Sequence, residues 1–198
     1  YVQDDMNNVV IYKPATPGYE NAPTVILQGH MDMVCAKCPE IEHDFIRDGL
    51  KLVVKDGFLS AEGTTLGGDD GIAVAYGLAL LDSTDLPHPA LEVVFTVDEE
   101  TGLLGADGFD CSLLKGRRMI NLDSEKEGCL WVSCAGGVAG NSYLPVRRVD
   151  ASGRKVNVKV CGLVGGHSGA EIHKNRASAN ILMGQFLYEL SHVCGFAL

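Results

Sequence analysis

The chain has 198 residues, 46% of them hydrophobic, enough to build one large domain or one and a half ordinary ones. A formal charge of −10 argues against nucleic acid or an anionic membrane surface as partner, because phosphates call for clustered Lys and Arg. No run approaches the length that spans a bilayer, no charged-then-apolar leader opens the chain, and Tyr1 stands in mid-pattern, so a fragment is expected.

In chain order, "NVVIYKP" and "PTVILQGHMD" read as two strands joined by the turn-rich "ATPGYENA". "HDFIRDGLKLVVKDGFLSAEG" reads as a hairpin region pinned by Asp-Gly turns at Asp48-Gly49 and Asp56-Gly57. The Gly-rich bend "GTTLGGDDG" then opens "IAVAYGLALLDS", which predicts a mostly buried helix. "ALEVVFTV" is apolar nearly throughout, as strands covered on both faces are. A short helix around "GLLGADGFD" and strands at "RRMINLD" and "GCLWVSCAGG" follow. Strands alternating with helices predict an α/β fold, a mostly parallel sheet with helices on both faces.

After Gly137 the pattern changes. "NSYLPVRRV" and "RKVNVKVCGL" alternate as a half-exposed sheet should, and "RASANILMGQFLYELSHV" has helical spacing. The boundary is placed near 136 to 138, giving a first domain over 1–137 and the start of an α+β domain over 138–198. Seven scattered cysteines, with one CxxC at Cys35–Cys38 and no second, suit reduced thiols in a cytoplasmic protein rather than a zinc ribbon.

The chemistry is written at strand ends, where ligands bind in open α/β sheets. "TVILQ" ends on His30 and Asp32, "LEVVFTV" on Asp98, Glu99 and Glu100, and "RRMINL" on Asp123, while the Gly-rich bend adds Asp69 and Asp70. Two carboxylates about 4 Å apart repel by roughly 4 kcal/mol at an effective dielectric of 20, so the crowd needs a counter-charge. Imidazole plus carboxylate without thiolate suits Zn²⁺, Mn²⁺ or Co²⁺ in a catalytic site, and a carboxylate bridging two ions would make a two-metal hydrolase.

Five words carry a resemblance: "GHMDMV", "GTTLGGDDGIAVA", "TVDEETGLLGA", "INLDSE" and "GGHSGAEIH". In this order and spacing the chain resembles the M20 metallopeptidases, most closely their aminoacyl-histidine (Xaa-His) dipeptidase branch. The resemblance implies a zinc-peptidase core with an α+β lid. It implies two divalent metals, zinc first with manganese or cobalt as alternatives, and hydrolysis of a dipeptide such as β-Ala-His by a metal-bridged water. His30 and Asp123 would hold one metal, Asp69 would bridge both, and Glu100 would serve the second. Asp32 would orient His30, Glu99 would be the general base, and His167 of the lid would donate to the oxyanion. A cytoplasmic homodimer through the lid is further implied. The family's closing metal-ligand His has no counterpart here, because His173 and His192 fall inside the lid pattern. One metal site should therefore be nearly complete and the other short of a ligand.

Blander readings stand beside these. Asp70 and Asp98 are taken as caps or turn formers, and His43 and His88 as surface residues in turns. His173 is weighed as a residue of the substrate pocket. "GTTLGGDDG" lacks the Gly-Lys-Ser/Thr ending of a phosphate loop, and "GGHSG" is no nucleophile elbow. The rival functions are another M20 hydrolase (tripeptidase, carboxypeptidase or N-acyl amino acid deacylase), a non-catalytic relative, and an inactive fragment.

Overall fold

A computed structural model describes residues 1–198 apart from 125, 135, 137, 139, 149, 151 and 167–170. The chain divides into two compact units, Tyr1–Cys129 and Leu130–Leu198. Among the described residues, no helix is long and apolar enough to cross a membrane.

The first unit runs β1 (Val2–Gln3), β2 (Val9–Lys13), β3 (Val25–His30), β4 (Leu52–Lys55), β5 (Phe58–Ala61), α1 (Gly68–Asp82), β6 (Leu91–Thr96), α2 (Leu104–Asp107) and β7 (Arg118–Asn121). Five strands form one sheet in the order β1-β2-β6-β3-β7. The run β6-β3-β7 is parallel, with Leu27 opposite Val93 and Ile120, whereas β1 and β2 join antiparallel. The expected mixed α/β fold with a mostly parallel sheet is therefore present.

The β-branched and aromatic run of β6 is buried at every position, which its place between β2 and β3 requires. Alternate residues feed two cores. Val10, Ile26 and Val94 pack with Phe109, Leu113 and Leu114 on one face, and Leu27, Val93 and Phe95 pack with Val74, Leu80 and Leu81 of α1 on the other. Each such buried side chain contributes roughly 1.5–3 kcal/mol.

Helix α1 is not the mostly buried helix its composition predicts. Ile72, Tyr76 and Leu78 are exposed, and only Asp70, Ala73 and Gly77 are buried. The reason is closeness: a narrow stripe of small residues lets the helix backbone approach the sheet. A Cβ on Gly77 would lie 2.8 Å from Phe95 and 2.9 Å from Val93. At the helix's far end the Lys13 ammonium donates to the carbonyls of Leu80, Leu81 and Ser83 at 2.7, 3.1 and 2.5 Å, satisfying acceptors that a helix C-terminus leaves open.

Only one of the two Asp-Gly pairs turns a hairpin. Asp56 and Gly57, at φ 53° and 81°, join β4 to β5 with the left-handed pair that a two-residue turn needs. Asp48 instead closes a local turn, its N–H and that of Arg47 donating to the carbonyl of Asp44. His88 is buried rather than at the surface. Its ring Nδ1–H donates to the Pro89 carbonyl at 2.7 Å and its main-chain N–H to Thr16 Oγ1 at 2.9 Å.

In the second unit α3 (Ala179–Val193) forms as its spacing predicts, with the Ser178 hydroxyl accepting from the Ile181 N–H at its start. Glu171 pairs with Lys174 and Arg176 ahead of it. The strands expected at "GCLWVSCAGG", "NSYLPVRRV" and "RKVNVKVCGL" are absent among the described residues. Alternation says which side chains would share a face, but a strand exists only against a partner's backbone, and Val132, Val146 and Val156 lie exposed.

Candidate metal centre

Three parallel strands end together, tied near their carboxyl ends by a polar ladder. Gln28 donates to Thr96 Oγ1 at 3.2 Å and accepts from the Asn121 amide at 2.5 Å, so β6, β3 and β7 share one register at their carboxyl ends. His30, the last residue of β3, is buried there.

Its ring is addressed from both sides. Nδ1–H faces Asp32, whose main-chain carbonyl at 3.0 Å is nearer than its carboxylate at 3.3 Å. Asp32 was expected to orient the imidazole with its carboxylate, and the carbonyl shares that task. Nε2 points into the acids, 3.1 Å from Asp69 Oδ1 and 4.0 Å from both Glu99 Oε2 and Asp123 Oδ2. The Asp32 carboxylate also accepts from the main-chain N–H groups of Glu99 and Glu100 at 3.1 and 3.2 Å. One side chain thus touches the imidazole and holds the loop that bears two acids.

Asp70, read from sequence as a cap, does cap. Its Oδ1 accepts from the Ala73 N–H at 3.4 Å, at the point where regular helix begins. Its other oxygen accepts from the His30 N–H at 3.3 Å, which seats α1 on the end of β3. This second bond was invisible in the sequence, although the doubled acid of "GGDDG" was a signal. Asp98 takes a left-handed turn conformation, φ 54°, and its carbonyl accepts from the Leu104 N–H, as a turn former's should.

Two groups of side chains could each hold a cation, their ligand atoms within 4.8 Å of one another: His30, Asp69 and Glu100, and His30, Asp70 and Asp123. Sequence reasoning gave a ligand role to every member but Asp70, which it read as a cap, and put Glu100 on the second metal rather than with His30. Among the described residues no Lys or Arg pairs with Asp32, Asp69, Asp70, Glu99 or Glu100. A divalent cation fits this donor set of one imidazole and several carboxylates, since it supplies a counter-charge that no described Lys or Arg gives those five acids.

The titration behaviour reflects the same crowding. Burial pushes the His30 ring down, but the hydrogen bond to Asp69 and the charges of Asp123, Asp32 and Glu99 outweigh it and leave the ring above its ordinary 6.5. Burial, joined by the charge of Asp123, pushes the Asp70 carboxyl up to about 6. Burial also raises Glu99, with His30 opposing and Asp123, Glu100 and Asp69 adding to the rise. His167, assigned from sequence to the oxyanion, lies outside the described residues.

No protein-family model matches the chain. The chain is 41% identical over 187 residues, 93% of its length, to the cytosol non-specific dipeptidase of Escherichia coli, of which it spans 39%. The crystal structure of the aminoacylhistidine dipeptidase from Vibrio alginolyticus matches it with a TM-score of 0.67 at 39% identity, covering 94% of this chain and 38% of that one. A tripeptidase from Staphylococcus aureus matches with a TM-score of 0.51 at 28% identity, covering 63% of this chain and 34% of that one.

Proposed function

We propose, on the premise that the chain belongs along its aligned length to the M20 peptidase family, that the full-length protein is a metal-dependent dipeptidase acting on Xaa-His substrates of the β-Ala-His kind. The observation that carries this reading is the meeting of His30, Asp69, Glu99, Glu100 and Asp123 at the carboxyl ends of parallel strands, with Asp32 behind them. Residues 1–137 would be the N-terminal part of the catalytic domain and 138–198 the start of the lid.

His30, Asp69, Glu100 and Asp123 would hold two divalent ions, zinc first and manganese or cobalt otherwise. Bound there, such ions would polarise the scissile carbonyl and lower the pKa of a water toward about 7. Glu99, turned to within 4.0 Å of the His30 ring, takes a proton from the attacking water and passes it to the leaving amine. Its raised carboxyl brings it nearer the proton affinity that this exchange needs. Asp32 keeps Glu99 and Glu100 in place through their N–H groups. His167 donates a hydrogen bond to the oxyanion. A cytoplasmic enzyme, dimeric through its lid, completes the reading.

The test is Glu99→Ala in the full-length protein. It should keep its metal yet lose at least ~10²-fold in rate, and near-normal turnover would refute the assigned role. A tripeptidase-like activity is the second reading, favoured by the likeness to the Staphylococcus aureus enzyme. Comparing β-Ala-His, a tripeptide and an N-acetyl amino acid as substrates separates them.

A further inference from the structure

We propose that Asn8 is a positioning residue for the acid-bearing loop: its side-chain amide clasps the neck of residues 97–105 and so sets where Glu99 and Glu100 stand. The inference rests on the reading of Glu99 as base and Glu100 as ligand.

The loop leaves β6 at Val97 and returns at Gly105, where the Gly105 N–H donates to the Val97 carbonyl at 3.1 Å. That bond leaves one donor and one acceptor at the neck, the Val97 N–H and the Gly105 carbonyl. Asn8 takes both. Its Oδ1 accepts from the Val97 N–H at 3.1 Å and its Nδ2 donates to the Gly105 carbonyl at 2.9 Å. The side-chain amide therefore acts as one more peptide group, inserted between the two ends of the loop.

The neck is tight as well as paired. A Cβ on Gly105 would stand 2.2 Å from the Val97 oxygen and 2.7 Å from Asn8 Oδ1. Asn8 is itself 1% exposed and held from behind by Asp4, whose carboxylate accepts from its Nδ2 and its main-chain N–H, each at 2.8 Å. Beyond the neck, the N–H groups of Glu99 and Glu100 rest on Asp32. The loop is thus fixed at two places, its neck by Asn8 and its acids by Asp32. Displacing a reacting group by about 1 Å can cost ~10²-fold in rate, so the neck bears on chemistry.

A buried asparagine that only steadies the fold would make no distinction between this loop and the sheet. Amide exchange in the full-length protein draws that distinction without relying on activity. In Asn8→Ala the Glu99 and Glu100 amides should exchange at least ~10-fold faster while those of Val93 and Val94 in β6 keep their rates. Binding of Zn²⁺ to the metal-stripped protein should weaken by about 10–100-fold. Asp4→Ala, which leaves Asn8 both its neck partners but takes away the carboxylate behind it, should lower Tm and speed the acidic amides by clearly less than Asn8→Ala does. Should Asn8→Ala fail to fold, Asn8→Ser, too short to span the neck, replaces it. Unchanged Glu99 and Glu100 amides, an equal rise at Val93 and Val94, or the same effect from Asp4→Ala would overturn the proposal. A wild-type protein that bound no divalent ion would instead sink the functional reading, and the exchange comparison would still decide this one.

Discussion

Replacing Asp32 probes how the centre is held together. Its carboxylate accepts from the N–H groups of Glu99 and Glu100 at 3.1 and 3.2 Å and approaches His30 Nδ1 at 3.3 Å. A hydrogen bond to a charged acceptor contributes about 1.5–3 kcal/mol, so two would give about 3–6 kcal/mol in a dry site. The side chain is 23% exposed, and solvent screening reduces this to about 2–3 kcal/mol. If that free energy is what holds the loop ready for a cation, its loss corresponds to about 30–150-fold weaker binding. Asp32→Ala should show the full effect. Asp32→Asn keeps one acceptor oxygen but turns an amide toward the other N–H, and should lose about half as much free energy. Both variants retain the Asp32 carbonyl that faces His30 Nδ1 at 3.0 Å, so the ring keeps its tautomer and the loss falls on the Glu100 side. Calorimetric titration of the metal-stripped full-length protein with Zn²⁺ reads the affinity. An Asp32→Ala protein that binds within about threefold of wild type would refute the reasoning.

Two more predictions concern the seat of α1. A Cβ on Gly29 would meet Ala73 Cβ at 2.3 Å and Asp70 Oδ2 at 2.5 Å, so Gly29→Ala should destabilise by about 1–3 kcal/mol in chemical denaturation. Gly71→Ala, in the same helix with nothing within 4 Å, should be neutral or stabilise by about 0.5–1 kcal/mol. For pH, Asp70 binds its proton more tightly folded, at about 6, than unfolded, near 3.8. Its contribution is therefore full below about 3.8 and lost as pH rises through about 6, up to about 3 kcal/mol. His30, also raised, loses its contribution as pH climbs past its folded value above 6.5. The Tm of metal-stripped protein should fall from pH 5 to 7.5, and Asp70→Asn should remove most of the slope below pH 7; a flat profile would contradict this.

Much of the centre was legible because its signals are local. A β-branched run that stops on acids marks a strand and its end, so β3, β6 and β7 and the residues His30, Glu99 and Asp123 could be read directly. The pairing of strands far apart in sequence brought those ends together, as an α/β topology requires. Asn8 could not be read in this way. It heads "NVVIYKP", which reads only as the start of a strand, and its partners Val97 and Gly105 are about ninety residues on. Burial of α1 was overestimated because composition reports apolar content, whereas along the helix the sheet fully covers only the Ala73 and Gly77 stripe and half-covers Val74, Leu80 and Leu81. The alternating runs after Gly137 had the right period, but no described neighbour pairs with them.

The grip of Lys13 on the last carbonyls of α1 gives that helix a fixed far end. At 1.5 Å per residue α1 is a rod of roughly 20 Å, anchored in β2 at one tip and delivering Asp70 to His30 at the other. Glu100 stands instead on a loop pinned by hydrogen bonds at its neck and at its acids. Asp70 is thus placed by the length of a rod and Glu100 by a few side-chain contacts, so a change of ionic radius would be taken up at Glu100 before it moved Asp70.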